Sequence, residues 1–392
     1  MSIADPLRVM MVAGEPSGDA LGGSLLCELH GLVPGSIEAF GVGGPWMAQY
    51  GLESIFPMHE LSVMGIAEVL PRIPNLRRRI AETIALAVRM QPDVLITIDS
   101  PDFCFRVARQ VRKQAPGIKI IHYVAPQVWA WRRGRAQKIA RYLDHLLALL
   151  PFEPPIFNDA GLPCTFVGHP VIERAAVSQA ADKFREHHFI PPQAPLLAVL
   201  PGSRLSETTR LLPVFGEALK LLVRAVPDLH AFTATVPGVA DNVITAAADW
   251  PVRTIVTQDA GEKAAGFAAC DAAIAASGTV SLELAINAIP HVIAYKVNPL
   301  TAIIARQFLK ISNVNLINLV LGETLIPELL QEACTPANVA GAVLSLLRAP
   351  RPSPTAELQR IGMKRALNTL GMGGEKPSLR AARAVLAVLD AG

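Results

Sequence analysis

The feature that most constrains this chain is an alternation of short apolar runs with amphipathic helical patterns, which occurs twice along 392 residues. Such alternation is typical of βαβ units, in which crossover helices join parallel strands. We predict a first series of strands at residues 8–14, 37–42, 93–99, 119–125, 146–150 and 165–168. A second series is predicted at residues 196–200, 230–236, 253–257, 272–276 and 291–297. The sequence therefore predicts an α/β protein with two doubly wound domains.

The boundary between the two series is a polar stretch at residues 171–195. It predicts an N-terminal domain over residues 1–170 and a C-terminal domain over residues 171–354. A proline-rich loop at 349–354 then precedes two helical patterns that have no strand of their own. We expect these C-terminal helices, residues 355–392, to pack on the first domain or on a partner chain.

Composition excludes several classes of protein. Hydrophobic residues make up 51% of the chain, but no run approaches the roughly 18 apolar residues that a membrane-spanning helix needs. The N-terminus lacks the long apolar region of a signal peptide, which predicts a cytoplasmic protein. Five cysteines without a CxxC pair fit reduced thiols and predict no metal site. A net charge of +3 does not by itself favour a nucleic-acid partner.

A glycine-rich turn, VAGEPSGDALGG at residues 12–23, follows the first predicted strand. Backbone amides at such a strand-to-helix corner can hold an anion. The spacing fits neither G-x-G-x-x-G nor the P-loop, and Asp19 would repel a phosphate. Two interpretations stay open: a ligand-binding turn, or glycines that allow the helix to pack closely.

The segment ITIDSPDF at residues 96–103 places a carboxylate after an apolar strand. Ser100 is predicted as a helix N-cap, Pro101 as the first helical residue and Asp102 as a favourable first-turn charge. Asp99 is not explained in this way, because it lies at the mouth of the sheet, where α/β proteins bind ligands. Asp99 is predicted either to cap the loop or to act in catalysis.

Two turns in the second half resemble each other. LPGSR at residues 200–204 leaves a strand through a Pro-Gly-Ser turn, and Arg204 offers a forked cation for phosphate oxygens. ASGTVSLE at residues 276–283 repeats the pattern with an acid one turn into the helix. Thr279 and Glu283 could be only a cap and a dipole partner. Together, the two turns predict a diphosphate site with a carboxylate for sugar hydroxyls.

Two further segments bear on partners. VAPQVWAWRRGRAQKIAR at residues 124–141 mixes tryptophans with cations, which suits nucleic acid or a small phosphorylated ligand. The near-neutral chain favours the small ligand. The apolar residues of segment 59–79 precede three arginines, which is typical of a buried helix or a membrane-surface helix. The segment at 300–310 is similarly apolar with a basic edge.

Taken together, the motifs resemble those of the lipid-A-disaccharide synthase family. They occur in family order: GEPSGD, ITIDSPDF, APQVWAWRRGR, PFE, FVGHP, LPGSR and SGT with Glu283. The resemblance runs from the first strand to about Pro336 and implies a GT-B fold of two Rossmann-like domains facing across a cleft. It implies a Gram-negative enzyme of lipid A biosynthesis, peripheral on the inner face of the inner membrane. UDP-2,3-diacylglucosamine and 2,3-diacylglucosamine 1-phosphate would give UDP and a β-1,6-linked disaccharide 1-phosphate.

The resemblance also assigns residues. Asp99 is the expected base and Arg204 the expected contact of the leaving group, so that we predict inversion at the sugar without a metal or other cofactor. The expected substrate-binding residues are Gly14, Glu15, Ser17, Gly18, Gln127, Trp129, Ser203, Ser277, Gly278, Thr279, Glu283, Asn315 and Asn318. The last two belong to NLIN, where Ile317 replaces the proline of the family motif.

Acylated substrates favour a membrane-surface helix over a buried helix at segment 59–79, because the enzyme must reach lipids at a bilayer. The residues expected to dock on the membrane are Val63, Met64, Ile66, Val69, Leu70, Arg77, Arg78 and Arg79. Relatives exchange C-terminal segments, which predicts a homodimer. The competing predictions are a UDP-N-acetylglucosamine epimerase on the same fold and a nicotinamide-dependent oxidoreductase or nucleotide-binding module. The missing G-x-G-x-x-G argues against the last two.

Overall fold

The computed structural model describes residues 6–61, 66–128, 134–173, 180–276, 278–298, 313–348 and 352–391, and in residues 66–72 it describes the backbone alone. The chain divides into two compact units. The first comprises Met1–Glu173 with Gly373–Gly392, and the second comprises Arg174–Met372.

The first unit is built on a seven-stranded sheet in which every paired neighbour is parallel. Its strands are β1 (Leu7–Ala13), β2 (Ile37–Val42), β3 (Glu53–Ser54), β4 (Val94–Ile98), β5 (Lys119–Tyr123), β6 (His145–Ala148) and β7 (Cys164–Phe166). Its helices up to residue 173 are α1 (Pro16–Leu32), α2 (Pro45–Ala48), α3 (Ile66–Met90), α4 (Pro101–Gln114), α5 (Gly134–Ile139) and α6 (Glu153–Asn158).

The first sheet reverses its winding between β1 and β4, because its strand order is β3-β2-β1-β4-β5-β6-β7. Side chains of β1 alternate between two apolar layers: Met10 and Val12 lie with residues of α3 and α4, and Val9 and Met11 lie with residues of α1. Ligands of open α/β sheets bind outside the carboxyl ends of the strands at such a reversal. The fold therefore places the ends of β1 and β4 where a site is expected.

The second unit repeats this architecture with a six-stranded parallel sheet. Its strands are β8 (Leu196–Leu200), β9 (His230–Ala234), β10 (Arg253–Thr257), β11 (Ala272–Ala275), β12 (His291–Tyr295) and β13 (Glu328–Leu330). Its helices are α7 (Ala180–His187), α8 (Leu205–Ala225), α9 (Ala240–Ala248), α10 (Ala260–Ala269), α11 (Val280–Ile286), α12 (Leu316–Leu321), α13 (Pro336–Leu347) and α14 (Pro354–Thr369). The order β10-β9-β8-β11-β12-β13 reverses between β8 and β11.

The two C-terminal helices are divided between the units, whereas the sequence placed both on the first domain or on a partner. Helix α14 packs against α11, α12 and α13 of the second unit. The buried Gln359 side chain accepts a 2.8 Å hydrogen bond from the His291 amide at the start of β12, which fixes the helix there. The last helix, α15 (Pro377–Asp390), packs on α1 in the first unit.

All eleven predicted strands are present, and their ends differ from the predicted ends by at most two residues. Within the described residues, two strands were not predicted, β3 and β13, and both are only two or three residues long. In the described part of the chain, no helix combines the length and apolar character needed to cross a bilayer.

Candidate active site

Gly14 and Ser100 bring two loops together at the reversal of the first sheet. Gly14 follows β1, and Ser100 lies in the loop after β4. A β-carbon on Gly14 would lie 2.6 Å from the Ser100 Oγ, so that this approach is open only to glycine. The glycine-rich turn that follows β1 and the Asp99 loop therefore form one edge.

Asp99 lies at this edge with a left-handed backbone, φ 51°, and a half-buried side chain. Ser100 is also left-handed, φ 41°; it is the N-cap residue of α4, as predicted, but its side chain makes no capping hydrogen bond. Asp102 is exposed in the first turn of α4, as expected. Consecutive non-glycine residues in this region are strained, and such strain is concentrated at functional sites.

The neighbouring strand fixes the backbone of Asp99. The Asp99 amide donates a 2.9 Å hydrogen bond to the carbonyl of Tyr123, the last residue of β5. Val124 follows with φ 80°, and its amide donates to the Leu147 carbonyl at 3.0 Å. One peptide group thus ties the ends of β4, β5 and β6 together, and the Asp99 backbone is held by this arrangement.

The other glycines of the first turn allow close packing. Gly18 is buried, with Ala13 Cβ 3.2 Å and Ile98 O 3.4 Å from the position of an added β-carbon. A β-carbon on Gly22 would lie 2.5 Å from the sulfur of Met47, and one on Gly23 would lie 2.9 Å from the carbonyl oxygen of Trp46, both in α2. Gly18 therefore supports the close-packing interpretation, while Gly14 and the half-buried Glu15 lie at the strand end and Ser17 is exposed.

Asp19 has a role that the sequence analysis missed. Its carboxylate is 1% exposed and accepts hydrogen bonds from the amides of Gly44, Trp46 and Met47 at 2.8, 3.0 and 3.1 Å. These amides lie at the N-terminus of α2, where a negative charge is favourable. Asp19 therefore caps a helix that starts 26 residues later, and its charge does not need a ligand.

The loop after β5 carries Gln127, which is exposed. Trp129 lies outside the described residues, as do Ser277 of the second unit and Val63 and Met64 of segment 59–79.

In the second unit, the loop 201–204 follows β8 at the reversal of the sheet. Ser203 and Arg204 are exposed there. The Arg204 Nη1 donates a 3.0 Å hydrogen bond to Glu207 Oε1, and the Ser203 amide donates to Glu207 Oε2 at 3.2 Å. Glu207 was missed as a functional candidate, although an acid at the third residue of a helix is a recognisable capping signal.

The turn after β11 lies at the same reversal. Gly278, φ 129°, and Thr279 are exposed. Thr279 precedes α11 without a side-chain capping bond. Glu283 forms an ion pair with Lys263 of α10, with its side chain 20% exposed. The two turns predicted to hold a diphosphate thus follow adjacent strands, β8 and β11.

Asn315 and Asn318 are buried, and the hydrogen bonds of Asn315 Oδ1 and of the Asn318 side chain go to residues 317–328. The Asn315 Oδ1 accepts from the amides of Ile317 and Asn318. The Asn318 side chain donates to the Ile326 carbonyl and Glu328 Oε1, and accepts from the amides of Leu325 and Ile326.

The hydrogen-bonding capacity of the Asn318 side chain is used by residues 325–328, and its role as a substrate contact stays a prediction. The same hydrogen bonds account for isoleucine at position 317. Its amide donates to Asn315 Oδ1 at 2.7 Å, and a proline there would have no N–H to donate.

The three consecutive arginines of α3, residues 77–79, are not equivalent. Arg77 and Arg78 are exposed. Arg79 is 15% exposed, donates to both carboxylate oxygens of Glu60 and to Glu82, and lies 4.5 Å from the ring centre of Phe56. Hydrogen bonds from Arg79 and Asn75 lower the pKa of Glu60 to about 2. Arg79 is therefore engaged within the unit, and its expected role in membrane docking stays a prediction.

The other expected membrane residues, Ile66, Val69 and Leu70, lie in the first two turns of α3, in the part described by its backbone alone. Among the described residues, no group of three or more His, Cys, Asp or Glu side chains is arranged to hold a metal ion.

A family model described as lipid-A-disaccharide synthetase matches residues 9–366. The chain belongs to this lipid-A-disaccharide synthetase family. It is 50% identical over 385 residues to the lipid-A-disaccharide synthase of Rhodospirillum centenum, an alignment that covers 98% of this chain and 95% of the relative.

Membership of the lipid-A-disaccharide synthetase family makes the chain a glycosyltransferase of lipid A biosynthesis. Its fold is also found in UDP-GlcNAc 2-epimerase from Neisseria meningitidis, with a TM-score of 0.63, 12% identity and coverage of 98% of this chain and 100% of that chain. MurG of Acinetobacter baumannii gives a TM-score of 0.58 at 13% identity, with coverage of 97% and 100%. These structures confirm the predicted GT-B fold and nothing finer.

Proposed function

We propose that the chain transfers 2,3-diacylglucosamine from its UDP derivative to the 6-hydroxyl of 2,3-diacylglucosamine 1-phosphate, with inversion. The product is a β-1,6-linked disaccharide 1-phosphate, and UDP leaves. The observation that carries the proposal is the family match over residues 9–366. The two sets of motif residues at the two sheet reversals support it, because each sheet offers a ligand edge of different chemistry.

The acceptor edge is the one after β1 and β4. Asp99 accepts the proton of the acceptor hydroxyl as that oxygen attacks the anomeric carbon, and the bond from that carbon to the UDP oxygen breaks. Support comes from the position of Asp99 at the strand end and from its strained backbone, whose amide donates to the Tyr123 carbonyl. General base catalysis typically contributes about 10² to 10⁴ in rate.

The donor edge is the one after β8 and β11. Arg204 stabilises the negative charge that develops on the departing diphosphate, a task that a metal ion performs in other enzymes. Support comes from the exposed guanidinium and from the exposed Gly278 and Thr279 in the adjacent turn. Ser203, Ser277 and Glu283 complete the proposed donor contacts.

The activity is tested by incubating the protein with the UDP-sugar, with and without the acylated acceptor, and measuring UDP. The proposal predicts UDP release that requires the acceptor. Epimerisation of the UDP-sugar without release would instead support the epimerase alternative, which the fold likeness alone suggests. Turnover abolished by EDTA and restored by Mg²⁺ would contradict the metal-independent mechanism.

The acylated substrates also lead us to propose that the start of α3 docks on an anionic bilayer surface, with the exposed Arg77 and Arg78 beside it. Replacing both arginines by glutamine is expected to weaken binding to anionic vesicles, because each basic residue near such a surface contributes about 1 kcal/mol. The matched control is Arg224→Gln in the last turn of α8. Equal vesicle binding by wild type and double variant would contradict the docking surface.

A further inference from the structure

A buried carboxylate lies under the donor loop of the second unit. Glu207, in the first turn of α8, is 6% exposed. It accepts from three donors: the Ser203 amide, the Arg204 guanidinium and the phenol of Tyr295 at 3.1 Å. Burying a charge is costly unless it is well bonded. The carboxylate of Glu207 is therefore held in place by this loop and by the end of β12.

The loop backbone lies directly on Glu207. Gly202 has φ 103°, and a β-carbon there would be 2.3 Å from Glu207 Oε2. Any side chain at residue 202 would displace either the loop or the carboxylate. The glycine of LPGSR therefore serves contact with Glu207, in addition to any approach by a ligand.

Arg204 is held but not covered. One of its terminal nitrogens bonds Glu207, while the side chain is 59% exposed. A guanidinium carries five N–H donors in a rigid fork. The bond to Glu207 therefore fixes the direction of the fork and leaves the remaining donors for a ligand.

Tyr295, the last residue of β12, supports the carboxylate from a strand that β11 separates from β8. Burial and the adjacent Glu207 charge raise the pKa of the Tyr295 phenol, so it remains a hydrogen-bond donor. The three side chains thus form a fixed series from Tyr295 through Glu207 to Arg204.

We propose that Glu207, supported by Tyr295, is a positioning residue: it holds the loop through the Ser203 amide and orients the Arg204 guanidinium toward the diphosphate of the donor. The inference rests on the proposed function, which places the donor at this loop. It adds two residues, Glu207 and Tyr295. Neither contacts a reacting atom, but together they set the orientation of Arg204, which contacts the departing diphosphate.

The test is calorimetric binding of UDP to folded variants of the full chain. Glu207→Gln keeps the size of the side chain but loses the charge, and is expected to weaken UDP binding about tenfold, the lower range for losing a hydrogen bond to a charged group. Tyr295→Phe is expected to weaken it about threefold. Glu217→Gln, an exposed acid on the same helix, is the control and should bind as wild type.

A double-mutant cycle separates positioning from simple stabilisation. In an Arg204→Ala background, Glu207→Gln should cause no further loss of UDP affinity. An equal loss in both backgrounds, or wild-type affinity of Glu207→Gln, would overturn the inference. If Glu207→Gln does not fold, Tyr295→Phe takes its place in the cycle. UDP binding needs no acceptor. A failure of acceptor-dependent turnover would therefore overturn the proposed function, whereas the UDP affinities of the variants would still test the role of Glu207.

Discussion

At the scale of single residues, Asp19 shows why one sequence pattern supported two interpretations. The glycine spacing around it was visible, but its hydrogen-bond partners are amides of residues 44–47, which only the folded chain brings near. Sequence reasoning could flag the charge as unsuited to phosphate. It could not find the helix that the charge caps.

Replacing Asp19 by Asn is expected to destabilise the first unit by about 1–3 kcal/mol, because one buried acceptor oxygen is lost and an amide donor is left without a partner. Chemical denaturation measures the change. Asp102→Asn, in an exposed first-turn position, is the control and should change stability by less than about 0.5 kcal/mol. Equal stability of the two variants would contradict the capping role.

Val124 provides a second residue-scale prediction, because a β-branched residue at φ 80° is costly. Val124→Gly and Val124→Ala both remove the γ-methyl groups. The difference between their free energies of unfolding therefore reports mainly the cost of the backbone conformation. The left-handed conformation costs an L-residue about 1–2 kcal/mol, whereas the greater freedom of glycine in the unfolded chain costs roughly 0.4–1 kcal/mol.

The glycine variant should therefore be more stable than the alanine variant, by up to about 1.6 kcal/mol. Denaturant titration of both proteins checks this. An alanine variant as stable as the glycine variant would mean that residue 124 is not held in a left-handed conformation.

At the scale of elements, most strands were predictable because an apolar run between turn residues is a local signal. The exceptions follow from length: β3 has two residues and β13 three, too few to show a period. The placement of α14 was also unpredictable, since it depends on the hydrogen bond between Gln359 and the first residue of β12. The loops at both sheet reversals were identified from sequence, whereas Glu207 required the tertiary contact with Tyr295 to stand out.

His291, at the contact of β12 with α14, predicts a pH dependence of this element. Burial lowers the pKa of His291 to about 4 from an ordinary value of 6.5. The folded protein therefore binds fewer protons than the unfolded chain between these values, and stability falls as pH falls from 6.5 toward 4. This histidine contributes a loss of about 2 kcal/mol between pH 6.5 and 5.

Hydrogen exchange of residues 291–295 at pH 6.5 and pH 5, corrected for intrinsic rates, measures this loss. His291→Asn removes the titrating group and should flatten the dependence by about the same 2 kcal/mol. His145→Asn is the comparison, because that histidine lies in β6 of the first unit. An unchanged pH dependence in His291→Asn would show that the histidine does not titrate on unfolding.

At the scale of the whole molecule, the chain contains the same design twice: a parallel sheet whose winding reverses, with the motif residues on the loops that leave the two strands at the reversal. In the first unit these loops carry Gly14 and Asp99, and in the second they carry Arg204 and Gly278. The chemistry differs accordingly, with a carboxylate at one edge and a guanidinium at the other. The central claim is that the two edges serve separate halves of one transfer reaction.

Calorimetric UDP binding and acceptor-dependent UDP release, measured side by side on wild type, Asp99→Asn and Arg204→Ala, test this claim most directly. We predict that Asp99→Asn binds UDP within about twofold of wild type while its turnover falls about 10² to 10⁴-fold, and that Arg204→Ala loses about tenfold or more in UDP affinity. Asp99→Asn with wild-type turnover, or with UDP binding as weak as that of Arg204→Ala, would contradict the division of the reaction between the two edges.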